Sequence, residues 1–209
     1  MPVRIIIAED HDGFRELIRN ILKDRHKFKI VCETADGQVI VEYAKEKNPD
    51  LILMDISLPE INGIAATHLI KEYNPYIKIL GMTMHTELNF VISMLKSGAS
   101  GFLLKETIGR ELEPAILTIM QNHIYLSKKI EKEMFKSYLG KLIKNHYSPE
   151  QQLSEHEITV LKKLANGQSE ETIAKTFDTD PAAIKKIHQK LLQSWVTYIK
   201  SLNMQDKGC

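Results

Sequence analysis

Two cysteines are all that 209 residues contain, which excludes a disulfide-stapled fold and a cysteine-rich metal site. Cys32 lies in a strand-like run, Ile30-Val31-Cys32, and Cys209 is the last residue, so both read as reduced thiols. No apolar run approaches the roughly 18 residues of a membrane span. Met1-Pro2-Val3-Arg4 passes straight into strand pattern without the charged and apolar regions of a secretory signal. There is no glycine-rich nucleotide loop and no metalloprotease signature. Charge of one sign is also missing: 28 basic residues meet 27 acidic ones, a formal net of +1. These absences leave a soluble, cytoplasmic protein of one large or two small domains as the expectation.

What is present is a set of short apolar runs that each end on a polar residue. Val3 to Ala8 ends at Glu9-Asp10, and Leu51-Ile52-Leu53-Met54 ends at Asp55. Ile77 to Met82 ends at Thr83, and Gly101 to Leu104 ends at Lys105. Between them lie stretches with apolar residues at helical spacing: Phe14 to Leu22, Val39 to Ala44, Ile64 to Ile70, Phe90 to Leu95 and Leu112 to Met120. Asn48-Pro49 and Asn74-Pro75 mark helix ends. Strands alternating with helices predict an α/β fold with a parallel, doubly wound sheet of five strands in flavodoxin-like order 2-1-3-4-5. In such sheets sites form outside the carboxyl ends of the strands. One site is therefore expected.

Its chemistry follows from the residue types. Crowded carboxylates from Glu9, Asp10 and Asp55 repel, and a hard divalent cation such as Mg²⁺ relieves that repulsion. Asp55 can then attack phosphorus and form an aspartyl phosphate. Phosphoryl transfer asks the protein chiefly for positioning and charge neutralisation, which the Lys105 ammonium and the Thr83 hydroxyl can supply beside the cation.

At this point the chain resembles the receiver domain of bacterial two-component response regulators of the NarL/FixJ type. The matching stretches are Ala8-Glu9-Asp10-His11 with Phe14-Arg15, Leu53 to Pro59, Asn62-Gly63, Met82-Thr83-Met84-His85 and Gly98 to Lys105. The resemblance implies that Asp55 is the phosphoacceptor, with Glu9, Asp10, Asp55 and the Ser57 backbone carbonyl holding Mg²⁺. It implies that Thr83 and Lys105 sense the phosphoryl group and that Phe102 stands at the aromatic switch position. A plain core aromatic is the other reading of Phe102. A sensor histidine kinase would be the phosphoryl source, so the protein would be a phosphoacceptor rather than an enzyme acting on other substrates.

Beyond residue 127 the composition changes. Up to there 14 basic residues meet 17 acidic ones, whereas 128–148 holds six lysines and two glutamates. The expected organisation is a receiver over 1–124, a largely helical linker over 125–148 closed by Ser148-Pro149, and a helical domain over 149–209.

That last domain reads as four short helices. Leu153, Val160, Leu161, Leu164 and Ala165 form an apolar face closed by Asn166-Gly167. Ser169 caps a second helix and Asp180-Pro181 starts a third. On the third, spanning Pro181 to Gln193, Ile184, Ile187 and Leu191 point inward, while Lys185, Lys186, Gln189, Lys190 and Gln193 point outward. An apolar back with a Lys/Gln front suits a helix-turn-helix reader, with Lys185, Lys186, Gln189 and Lys190 as DNA contacts. Trp195, Val196, Ile199 and Leu202 suggest a fourth helix packed behind the third or against a partner.

The domain is similar to the LuxR-type helix-turn-helix that commonly follows a NarL-type receiver, through Leu153-Ser154, Glu157, Val160-Leu161, Leu164-Ala165, Gly167, Ser169, Ile173-Ala174, Ile184-Lys185 and Leu191-Leu192. The resemblance implies promoter DNA as the target and a homodimer on phosphorylation. The chain departs from the pattern at Ala182-Ala183, Ile187 and Ser194-Trp195, and residues 149–209 hold eight lysines, eight acids and no arginine. A transcriptional regulator is one reading. A protein-interaction regulator that keeps the fold without reading DNA is the other. An aspartyl-intermediate phosphatase is a third, weakened by Ser57 where a second aspartate would be expected.

Overall fold

A computed structural model describes residues 1–84, 87–143 and 153–201. His85, Lys144, Ser148-Pro149, Leu202 and Cys209 lie outside the described residues. The chain divides into two compact units, residues 1–127 and 128–209.

In the first unit, six parallel strands run β1 (Val3–Ala8), β2 (Phe28–Thr34), β3 (Leu51–Asp55), β4 (Lys78–Thr83), β5 (Gly101–Leu104) and β6 (Tyr125–Leu126). Their order is β2-β1-β3-β4-β5-β6. The expected 2-1-3-4-5 order is present and one edge strand is added. β6 is two residues long and sits where a linker was anticipated, too short to show a period of its own. Ser127, next in the chain, is buried. Its Oγ accepts the Leu104 N–H at 3.0 Å and donates to Glu111 at 2.5 Å.

The helices are α1 (Asp12–Leu22), α2 (Gly37–Lys47), α3 (Gly63–Tyr73), α4 (Leu88–Lys96) and α5 (Ile108–Met120). Their ends follow local chemistry. Asp36 Oδ1 caps α2 by accepting the Gln38 and Val39 N–H groups, and Asn62 Oδ1 caps α3 through Ala65. Asn48 ends α2 in the left-handed conformation that asparagine tolerates, with φ 43°. β3 is buried at all five positions, and Ile5, Ile7, Leu51, Leu53, Leu80, Met82 and Leu103 join α1 and α5 in one core. Strands covered on both faces explain why these runs are continuously apolar rather than alternating.

The second unit comprises α6 (Lys128–Ile143), α7 (Glu155–Ala165), α8 (Glu170–Thr176) and α9 (Pro181–Ser201). Ser154 opens α7 with a capping box: its Oγ accepts the Glu157 N–H, and Glu157 accepts the Ser154 N–H at 2.9 Å. Gly167, at φ +80°, turns the chain out of α7. Two expectations change here. The anticipated third and fourth helices are one continuous 21-residue helix, because nothing between Lys190 and Val196 is a glycine or proline that could stop it. The anticipated linker, α6, is a core helix of this unit. It buries Ile130, Met134, Phe135 and Tyr138 completely and packs along α7, while Lys141 lies 5.1 Å over the Tyr198 ring of α9. Each such buried side chain contributes about 1.5–3 kcal/mol.

Candidate functional site

Strand register builds the site in the first unit. Ala8 pairs with Met54, so Glu9 comes up beside Asp55. Asp55 pairs with Met82, Thr83 pairs with Leu104, and Lys105 follows directly. Four neighbouring strands thus release their polar ends at one edge. Behind them, Gly63 gives the β3 exit loop its close turn. A Cβ on Gly63 would stand 1.9 Å from the Asp55 carbonyl oxygen, so no larger residue fits.

Ligand oxygens of Glu9, Asp10 and Asp55 come within 4.8 Å of one another. They open on a cavity of about 350 Å³, also lined by His11, Phe14, Ser57, Met84 and Lys105. The Lys105 ammonium bridges two of the acids, 2.7 Å from Glu9 Oε2 and 3.1 Å from Asp55 Oδ2. It donates a hydrogen bond to Glu9 Oε1 at 2.9 Å and stands 4.8 Å from the Phe14 ring centroid. Glu9 is fully buried, and burial pushes its proton affinity up despite Lys105, with the Asp55 charge adding to the rise. Its Oε2 is close to Lys105 but off the line of a hydrogen bond, so this buried oxygen lacks a hydrogen-bond partner. Three carboxylates, one of them with a lone oxygen, suit a hard divalent cation.

The other expected residues fall around this edge. Ser57 is exposed on the cavity wall, Thr83 is buried at the end of β4, and Phe102 is fully buried in β5. Phe102 packs so closely on β4 that a Cβ on Gly81 would meet its ring at 2.8 Å. Phe14 and Arg15 carried no assigned role in the sequence. Here Phe14 covers Lys105, and Arg15 donates to the Glu9 carbonyl oxygen.

In the second unit the outward face of α9 is largely as expected. Lys185, Lys186 and Lys190 are exposed, Gln189 is half-buried, and Lys190 also forms an ion pair with Glu157 of α7. That pairing, together with the Ser154 N–H, keeps the Glu157 carboxyl below its usual range although burial pulls the other way. Ile184 and Leu191 are buried as anticipated, whereas Ile187 is only half-buried.

His188 was overlooked. Its Nδ1 lies 2.6 Å from Glu170 of α8, its Nε2 lies 2.7 Å from Glu131 of α6, and Phe135 packs on the ring at 5.7 Å. The Glu131 contact is an ion pair by distance, set off the ring's N–H direction. Burial alone would lower the imidazole's proton affinity. The two glutamates outweigh it and raise the pKa to about 9. The signal was in the sequence: His188 stands four residues after Ile184 and three before Leu191, on the apolar stripe itself.

A response regulator receiver domain matches residues 5–117, more than half of the chain. The transcriptional regulatory protein DegU of Brevibacillus brevis is 30% identical over 204 residues, 91% of this chain and 86% of that protein. The chain belongs to the two-component response regulators of the LuxR family. A LuxR-family response regulator from Aurantimonas sp. SI85-9A1 is 31% identical, with a TM-score of 0.64 over 66% of this chain and 99% of that one. The response regulator RcsB of Salmonella typhimurium, at 20% identity, shares the fold over 96% of this chain and 98% of its own, with a TM-score of 0.58. The receiver-plus-helical architecture of this regulator is that of its relatives, and the family acts in transcription.

Proposed function

We propose that this regulator takes a phosphoryl group from a sensor histidine kinase onto Asp55 and, so modified, binds promoter DNA as a homodimer in the cytoplasm. The observation that carries the first half is the convergence of Glu9, Asp10, Asp55 and Lys105 on one cavity at the strand ends. Glu9, Asp10, Asp55 and the Ser57 carbonyl would hold Mg²⁺, which neutralises charge on the transferring group. An Asp55 oxygen forms the new bond to phosphorus while the bond to the donor's imidazole nitrogen breaks, and the imidazole leaves with that electron pair. Lys105, already at Asp55, shifts to a phosphoryl oxygen, and the Thr83 hydroxyl donates to another. Phe102 is then placed to report the change through β5.

For the second half, the relevant charge is that of the whole folded unit. Residues 128–209 contain 14 lysines and ten acidic residues, a net of +4, because α6 belongs to the body that carries α9. A basic body suits the phosphate backbone better than the neutral stretch 149–209 read alone. Lys185 and Lys186 are the exposed contacts at the start of α9, with Gln189 beside them. The pairing of the exposed Lys190 with Glu157 favours the alternative, a regulator that works through protein contacts.

A gel-shift titration of the full chain against a randomised DNA pool, with and without acetyl phosphate, separates the two. The DNA reading expects salt-sensitive binding that the phosphodonor strengthens, with a salt slope lowered by about two in Lys185→Ala combined with Lys186→Ala. No salt-sensitive binding in either condition gives the function to the protein-contact reading.

A further inference from the structure

Of the buried titratable groups, one is used by neither the phosphoryl site nor the outward face of α9. His188 sits with its side chain 12% exposed, and its two ring nitrogens face carboxylates on two different helices. Glu170 begins α8, the first helix of the helix-turn-helix, and Glu131 lies in the first turn of α6. Two partly buried carboxylates on either side of one imidazole favour its charged form, with Nδ1 hydrogen-bonded to Glu170 and Nε2 ion-paired by distance with Glu131. The same ring stacks obliquely on Phe135, so its plane is fixed as well as its charge.

The position of His188 in α9 gives this clasp its consequence. Lys185 precedes it by one helical turn and Gln189 follows it directly, so the setting of His188 determines how those two side chains are presented. The angle between α8 and α9 decides whether a reader helix can enter a groove while its partner lies across the backbone. We propose that His188 is a positioning residue for DNA reading: as an imidazolium between Glu170 and Glu131 it fixes α9 against α8 and fastens α6 to the same body. The proposal rests on the DNA-binding reading above for its functional half, and on the geometry alone for the clasp.

The test uses the full chain in two arms. In the first, the ring nitrogens of ¹⁵N-histidine protein are followed by NMR. His188 is expected to keep both nitrogens protonated from pH 6 to 8, and to titrate below pH 6.5 once Glu131→Gln and Glu170→Gln are combined, since burial then acts unopposed. A His188 that titrates near pH 6.5 in the unsubstituted protein overturns the clasp. In the second arm, His188→Gln is compared with the unsubstituted chain for DNA affinity, salt slope and Asp55 labelling. The expected result is affinity reduced at least tenfold, with the helical content, labelling rate and salt slope all retained. An unchanged affinity overturns the positioning role, and a salt slope lowered by about one shows His188 to be a phosphate contact instead. His188→Lys, which restores a positive charge in the same pocket, is expected to recover part of the affinity that the glutamine variant loses. Failure of the unsubstituted chain to bind any DNA refutes the DNA reading and the positioning role together, while the NMR arm still decides the clasp.

Discussion

The two units place their charged groups by different rules. In the receiver, β-sheet register brings Glu9, Asp55, Thr83 and Lys105 to one edge, and each strand needs only its own sequence to say where it ends. In the helical unit, which lysines remain outside depends on which helix packs on which. Lys190 pairs with Glu157 while staying exposed, His188 is enclosed by Glu131 and Glu170, and Lys185 and Lys186 stay in solvent without such a pair among the described residues. A strand end is a local property, whereas a helix face acquires its meaning from its neighbours.

The largest effect should come from removing the cation proposed for the receiver's acidic cluster. With EDTA, labelling from a small phosphodonor should fall at least about a hundredfold, in keeping with the several kcal/mol a metal contributes to such transfers. Glu9→Gln should weaken Mg²⁺ binding by at least roughly tenfold in calorimetric titration. The same substitution should raise the melting temperature of the metal-free protein, because burial disfavours the ionised Glu9 and its folded state gains stability as pH falls. Labelling that is unchanged in EDTA would break the comparison on the receiver side.

Next in size is the core of the helical unit. Trp195 is almost fully buried in α9, and Trp195→Ala should cost about 3–5 kcal/mol there. Circular dichroism should show loss of the α6–α9 transition while Asp55 labelling proceeds at its usual rate. Concurrent loss of both would mean that the units do not stand apart as two bodies.

The pH dependence sharpens the comparison from the other side. A His188 held at about 9 when folded, against 6.5 unfolded, stabilises the unit fully below pH 6.5, and that contribution is lost as pH rises through 9. Its full value is about 3 kcal/mol. Denaturation followed by emission of Trp195, the chain's single tryptophan, should therefore show declining stability from pH 6.5 to 9.5. His188→Gln should flatten that decline.

The smallest effect concerns a helix end. Ser154→Ala removes one half of the capping box of α7 and should cost about 1 kcal/mol, read as a lowered denaturation midpoint without change in DNA contacts.

Much of this molecule was legible in the sequence because its signals are local. Apolar runs ending in Asp, Thr or Lys located the sheet edge, and Asn48, Asn74, Asn166-Gly167, Ser169 and Asp180-Pro181 marked the helix ends where they occur. What escaped was set by distant partners. β6 exists because Gly101 and Phe102 offer an edge to Tyr125 and Leu126. α6 looked like a charged linker because its lysines outnumber its acids, yet Ile130, Met134, Phe135 and Tyr138 are buried in a unit where α6 packs along α7 and Phe135 meets His188 of α9. The continuous α9 could have been foreseen from the absence of any helix breaker between Lys190 and Val196.

The central claim is that Asp55 accepts the phosphoryl group, and intact-protein mass measurement after incubation with Mg²⁺ and acetyl phosphate tests it most directly. The account predicts one added phosphoryl group, stable in acid and labile in base, that is absent from Asp55→Asn. The same gain in mass, at the same rate, in Asp55→Asn would contradict it.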